Sequence, residues 1–113
     1  MQTATVPDLG AVVKHVSWCV ARAKQDRALH RAGVCDYRRG VLAGSWAGYC
    51  DAHRALTDPD PWAPRMAELV AQADQLLGAV ATRTDWLAGY RWGRLAALRH
   101  VIAQLPLDEI CAP

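Results

Sequence analysis

Two pairs of metal-binding residue types stand at helical spacing in this 113-residue chain. His15 and Cys19 are four apart, and Cys50 and His53 are three apart. Residues at those steps share one side of a helix, so each pair can present two donors together. Two such pairs on neighbouring helices would match the imidazole and thiolate set of a tetrahedral zinc site. Two features count against that reading. Structural zinc thiolates usually sit on turns, and the four Cys (positions 19, 35, 50 and 111) form no Cys-x-x-Cys pair. Cys19 also falls within an apolar stripe, the usual setting of a buried, inert Cys. The expectation is therefore no metal and no cofactor, with core Cys and surface His.

Other chemistry is no better supported. A thiol nucleophile needs a neighbouring base and a lowered pKa. Cys35 or Cys50 with His30 or His53 can be written as such a dyad, but any chain with four Cys and four His permits that. Asp58 and Asp60 fit helix termination, and Asp8 and Asp85 fit helix capping, so no carboxylate pair is left for acid–base work. The glycines at 40, 44 and 48 lack the preceding strand and the Lys-Ser/Thr end of a phosphate loop. These residues predict a protein that is not an enzyme and has no small-molecule substrate.

Charge is more informative. The net charge is only +2, but residues 14–54 hold eight Lys/Arg against three Asp, whereas 55–113 hold five Arg against seven Asp/Glu. Arg22, Lys24, Arg27, Arg31, Arg38, Arg39 and Arg54 crowd the first half. Such clusters neutralise nucleic-acid phosphates without reading sequence, and no helix-turn-helix or other reader motif accompanies them. An acidic protein surface is the competing partner, and a solvated polar face the plain alternative.

The elements that must carry these residues are helices. Ala is abundant, with 21 residues, and Ile is rare, with 2, a bias toward helix over strand. The first helix is expected over about 7–32, with Thr5 and Asp8 in capping-box spacing, Pro7 in the first turn and Gly33 as a stop. Leu9, Val12, Val13, Val16, Cys19, Val20 and Ala23 make its apolar stripe. The second is expected over about 35–56. There Gly40, Gly44 and Gly48 recur every fourth residue, each costing about 1 kcal/mol relative to Ala. Leu42, Trp46, Tyr49 and His53 lie opposite, so this helix belongs between neighbours.

Two Pro and two Asp in 57–62 break the chain before a third helix, expected over about 61–81 with Asp60 as cap. Its stripe is Met66, Leu69, Val70, Ala73, Leu76, Leu77 and Val80. Thr82 and Asp85 stand in capping-box spacing before a fourth helix, over about 85–105. Arg94 on its apolar face is anomalous. The acidic tail 106–113 is expected to be loosely held. A short echo links Tyr37-Arg-Arg-Gly-Val-Leu-Ala43 to Tyr90-Arg-Trp-Gly-Arg-Leu-Ala96. Either a helical hairpin is duplicated, or two helices solve the same packing problem, and the second is favoured because the match ends after seven residues.

The fold expected is a single all-α domain, a compact bundle of about four helices. No apolar run reaches the roughly 20 residues of a membrane span, and MQTATVPDLG lacks a signal peptide's basic start and apolar stretch, so a cytoplasmic location is expected. Trp46, Trp62 and Trp92 cannot all be deeply buried in so small a bundle. Together with Gly40, Gly44 and Gly48 they are the expected contacts to protein neighbours. At the level of architecture, a short helical bundle with a basic face resembles the small subunits of CRISPR-type ribonucleoprotein effectors. It is also similar to small phage-encoded or anti-defence helical proteins. The first resemblance implies a subunit of a nucleoprotein assembly, and the second an inhibitor or adaptor that binds an acidic protein surface.

Overall fold

The computed structural model describes residues 9–29, 34–58, 61–80 and 82–105. It is a four-helix bundle: α1 (Leu9–Leu29), α2 (Asp36–Thr57), α3 (Trp62–Gly78) and α4 (Trp86–Ile102), with no strand among the described residues. No helix is long and apolar enough to cross a membrane. The expected start of α1 at Pro7, its stop at Gly33 and the 106–113 tail lie outside the described residues.

Helix ends follow local chemistry. Asp85 alone caps α4, its carboxylate accepting from the Ala88 amide at 3.1 Å. Thr82 stands outside this cap. Pro61 is the N-cap of α3 rather than its first helical residue, and it has no side chain to accept a bond. Cys35 precedes α2 without a side-chain cap bond. Beyond α4 the chain tightens into a turn, with the Gln104 and Leu105 amides donating to the Val101 and Ile102 carbonyls.

The core is built on both sides of α2 and α4. Val16, Met66, Leu95, Leu98 and Val101 are its largest fully enclosed side chains, joined by Val12, Ala52, Ala55, Leu56, Ala73 and Leu105. On α1, Val12, Val16, Cys19 and Ala23 are the buried residues, four members of the stripe read from spacing. Leu76, by contrast, is exposed, so the α3 stripe is narrower than its sequence suggests.

The spine is the α2–α4 pair. A Cβ built on Gly44 would lie 2.0 Å from the Tyr90 carbonyl oxygen, and one on Gly93 would lie 2.2 Å from that of Val41. Backbone thus rests on backbone. Contacts advance in the same direction along both helices, from Gly40 against Trp86 to Gly48 against Arg94, so α2 and α4 run parallel. Such spacing allows Cα–H to carbonyl contacts and close van der Waals packing. The echo of Tyr37–Ala43 in Tyr90–Ala96 is therefore the two sides of one contact. The fold is two helical hairpins packed through their second helices.

This packing corrects one assignment. Gly40, Gly44 and Gly48 are buried against α4, so they do not meet a protein neighbour. The close approach that the glycine stripe implied is satisfied inside the chain.

Candidate functional site

The donors of α1 find a partner on α4. His15 and Cys19 lie one turn apart on the side of α1 that reaches the end of α4, where His100 and Gln104 are likewise one turn apart. His15 Nε2 is 3.2 Å from His100 Nε2 and 3.5 Å from Cys19 Sγ. His100 Nε2 is also 3.2 Å from the Gln104 side-chain amide. The three donor atoms of His15, Cys19 and His100 all lie within 4.8 Å of one another. Cys19 is buried, His15 half-buried and His100 exposed, so the cluster opens to solvent on one side.

Aromatic rings hold these side chains. Trp18 stacks on His15 with planes 21° apart, and Tyr49 meets the His100 ring edge-on at 5.9 Å. Burial pushes the Cys19 thiol pKa up, opposed by a hydrogen bond from Tyr49. Burial likewise raises the Tyr49 phenol, with the Cys19 interaction adding to it. Both groups are neutral near pH 7, so Tyr49 can donate and the sulfur can accept.

Cys50 and His53 do not join this cluster. They line a cavity of about 350 Å³ between α1 and α2 with Ser17, Val20, Arg54 and Thr57. The four-residue clamp of His15, Cys19, Cys50 and His53 therefore does not form. The Cys50 thiol pKa is raised, chiefly by burial and then by Asp51, with Arg54 and Lys24 opposing. A nucleophilic Cys needs a lowered pKa, and the Cys50 shift runs the other way. Cys35 is exposed at the start of α2, and His30 lies outside the described residues.

The cations of the first half separate into groups. Arg27 places its guanidinium 5.4 Å from the centre of the Trp46 ring. One turn along α2 from Trp46, Cys50 feels both Lys24 and Arg54, so Lys24, Arg27 and Arg54 border one stretch of the α1–α2 pair. Arg54 is also 4.0 Å from Asp51. Arg38 and Arg39 are exposed on the first turn of α2. Arg22 stands apart: it pairs with Asp26 at 3.2 Å and sits over Trp18. Arg31 lies outside the described residues.

The anomalous Arg94 has a structural partner. Its Nε donates to Asp51 at 3.0 Å and its Nη2 lies 3.5 Å from Gln72. Its side chain is only 13% exposed. It ties α4 to α2 and α3 beside a cavity of about 340 Å³.

Of the three Trp expected at the surface, Trp92 is 43% exposed, whereas Trp46 and Trp62 are half-buried. Sequence reasoning missed Trp18, the most exposed indole at 59%, and Trp86, which stacks on Tyr90. It also missed His100 as the partner of His15 and Cys19. The four-residue step from His100 to Gln104 was visible, but no local spacing reveals which helices meet.

No protein-family model, no curated protein and no solved structure matches the chain. Its function must therefore be argued from the residues themselves.

Proposed function

We propose that this chain is a non-enzymatic subunit of a nucleoprotein assembly, contacting nucleic-acid phosphates through the exposed cations of α1 and α2. The observation that supports this reading is the grouping of Lys24, Arg27 and Arg54 around Trp46 and Cys50. An Arg stacked on an indole keeps its N–H edges free to meet phosphate oxygens while its face is held. Arg38 and Arg39 lie at the positive end of the α2 dipole, where cations are unfavourable and an anion is attracted. Asp36 in the same turn offsets part of that potential. Contacts of this kind read backbone, not bases.

Fluorescence anisotropy with labelled single-stranded and duplex nucleic acid tests it. With about four phosphate contacts, affinity should fall roughly 50- to 150-fold between about 50 and 200 mM salt. Replacing Arg27, Arg38 and Arg39 together by Gln should abolish binding while helicity is retained. Unchanged affinity would reject the reading.

A second reading is a small helical inhibitor or adaptor that binds an acidic protein surface. The exposed indoles of Trp18, Trp86 and Trp92 favour it, because Trp and Arg dominate binding energy at protein interfaces. It predicts no affinity for nucleic acid at either salt concentration.

A further inference from the structure

We propose that His15, Cys19 and His100 form a zinc site that ties α1 to α4. A tetrahedral zinc ion lies ~2.0–2.1 Å from imidazole nitrogen and ~2.3 Å from thiolate sulfur. Those bond lengths set two nitrogens about 3.3 Å apart and a nitrogen and a sulfur about 3.5 Å apart. The observed edges are 3.2 Å between His15 Nε2 and His100 Nε2, and 3.5 Å between His15 Nε2 and Cys19 Sγ. The remaining edge, Cys19 to His100, is below 4.8 Å and shortens by a rotamer adjustment of the exposed His100.

Hydrogen bonding accounts for the cluster less completely. Each imidazole nitrogen carries either one proton or one lone pair. His15 Nε2 faces both His100 Nε2 and Cys19 Sγ, and His100 Nε2 faces both His15 and Gln104. A cation accepts both imidazole lone pairs at once. It also takes the sulfur as thiolate, releasing the thiol proton to solvent.

The surroundings are those of a metal site. Two imidazoles and one thiolate are a borderline-soft donor set that suits Zn2+. Tyr49 meets the His100 ring edge-on and Trp18 stacks on His15, the kind of support that orients ligands. Exposed His100 leaves a path from solvent. The fourth position falls to water or to the Gln104 carboxamide, whose oxygen and nitrogen interchange by a flip of the group.

Titration of the full metal-free chain with Co2+, followed by displacement with Zn2+, tests the assignment. One Co2+ per chain is expected, with the intense ligand-field bands of a tetrahedral site and a thiolate-to-metal charge-transfer band. Cys19→Ser should lose that charge-transfer band, and His100→Ala should weaken binding by at least ~100-fold. Tyr49→Phe should weaken it roughly 10- to 100-fold, while Cys50→Ser and His53→Ala should bind like the parent. Circular dichroism of each metal-free variant reports whether the bundle is intact. If buried Cys19→Ser unfolds it, the exposed His100→Gln tests the same site through lost affinity. The site is overturned by absent stoichiometric binding, by a charge-transfer band that survives Cys19→Ser, or by an affinity unchanged in His100→Ala.

Discussion

Two crevices flank the α2–α4 spine, and corresponding positions fill them differently. The shift that carries Tyr37 onto Tyr90 also carries Cys19 onto Gln72 and Asp51 onto Gln104. On the α3 side, Gln72 and Asp51 receive the guanidinium of Arg94, so opposite charges and donors are matched. On the α1 side, Cys19 and Gln104 gather with His15 and His100, and three possible metal donors lie within 4.8 Å of one another. One frame thus holds an ion pair in one half and a set of metal donors in the other. Charge matching closes the first crevice, whereas the second is the place where an added cation would complete the bonding.

The comparison depends on the spine, and the largest expected effect comes from breaking it. A methyl at Gly44 would stand 2.0 Å from the Tyr90 carbonyl oxygen, and backbone cannot rotate aside as a side chain can. Gly44→Ala should force α2 and α4 apart, costing more than about 3 kcal/mol in urea denaturation and disordering both crevices. Gly78 is the control. Nothing lies within 4 Å of a Cβ built there, so Gly78→Ala should stabilise by up to about 1 kcal/mol. Equal losses from the two variants would refute the backbone contact.

A smaller effect should follow from opening only the α3 crevice. Arg94→Ala removes the cation from Asp51, whose side chain is 27% exposed, so water relieves part of the charge left behind. A loss of about 1–3 kcal/mol is expected, below that of a fully enclosed pair. A double-mutant cycle with Asp51→Asn should show coupling. Zinc affinity at the other crevice should stay within a factor of a few, because each crevice has its own side chains. A large change in metal binding would mean the two sides are not independent.

Much of this arrangement was legible in the chain, and the parts that were not share a cause. Apolar spacing located all four helices, since a buried stripe leaves a local record. The cost of Gly40, Gly44 and Gly48 signalled a close approach, but the partner could be named only once Gly89 and Gly93 were seen across from them. Arg94 was visible as an anomaly while Asp51 was not visible as its cause. Of the four donors weighed as a clamp, His15 and Cys19 stay together and meet His100, whereas Cys50 and His53 line a separate cavity. Contacts within one helix are written in residue spacing. Contacts between helices depend on packing, which no single spacing encodes.

The α1 crevice should respond to alkali. Cys19 and Tyr49 both have raised pKa values, through burial first, so the folded state holds their protons more tightly than the unfolded chain does. Their contribution to stability is complete below the unfolded thiol pKa of about 8.5. It is lost as pH rises through the folded values. Thermal melts of the metal-free chain should therefore fall as pH rises above about 8.5, and Cys19→Ala should flatten that slope. A slope unchanged by Cys19→Ala would place the alkaline loss elsewhere.

The smallest expected effect lies at the start of α4 and has the opposite sign. The Asp85 carboxylate pKa is lowered by its hydrogen bond with Arg83, then by the Ala88 amide. Its charge therefore favours folding above the unfolded Asp pKa of about 3.9, and that advantage is lost as pH falls through the lower folded value. Asp85→Asn preserves a side-chain oxygen for the Ala88 amide, since Asn caps helices about as well as Asp. What it removes is the charge facing Arg83 and the positive end of the helix dipole. The difference in melting temperature between parent and variant should thus be small near neutrality and shrink as pH falls below the unfolded value of about 3.9. A difference that did not shrink in acid would assign the loss to cap geometry instead of charge.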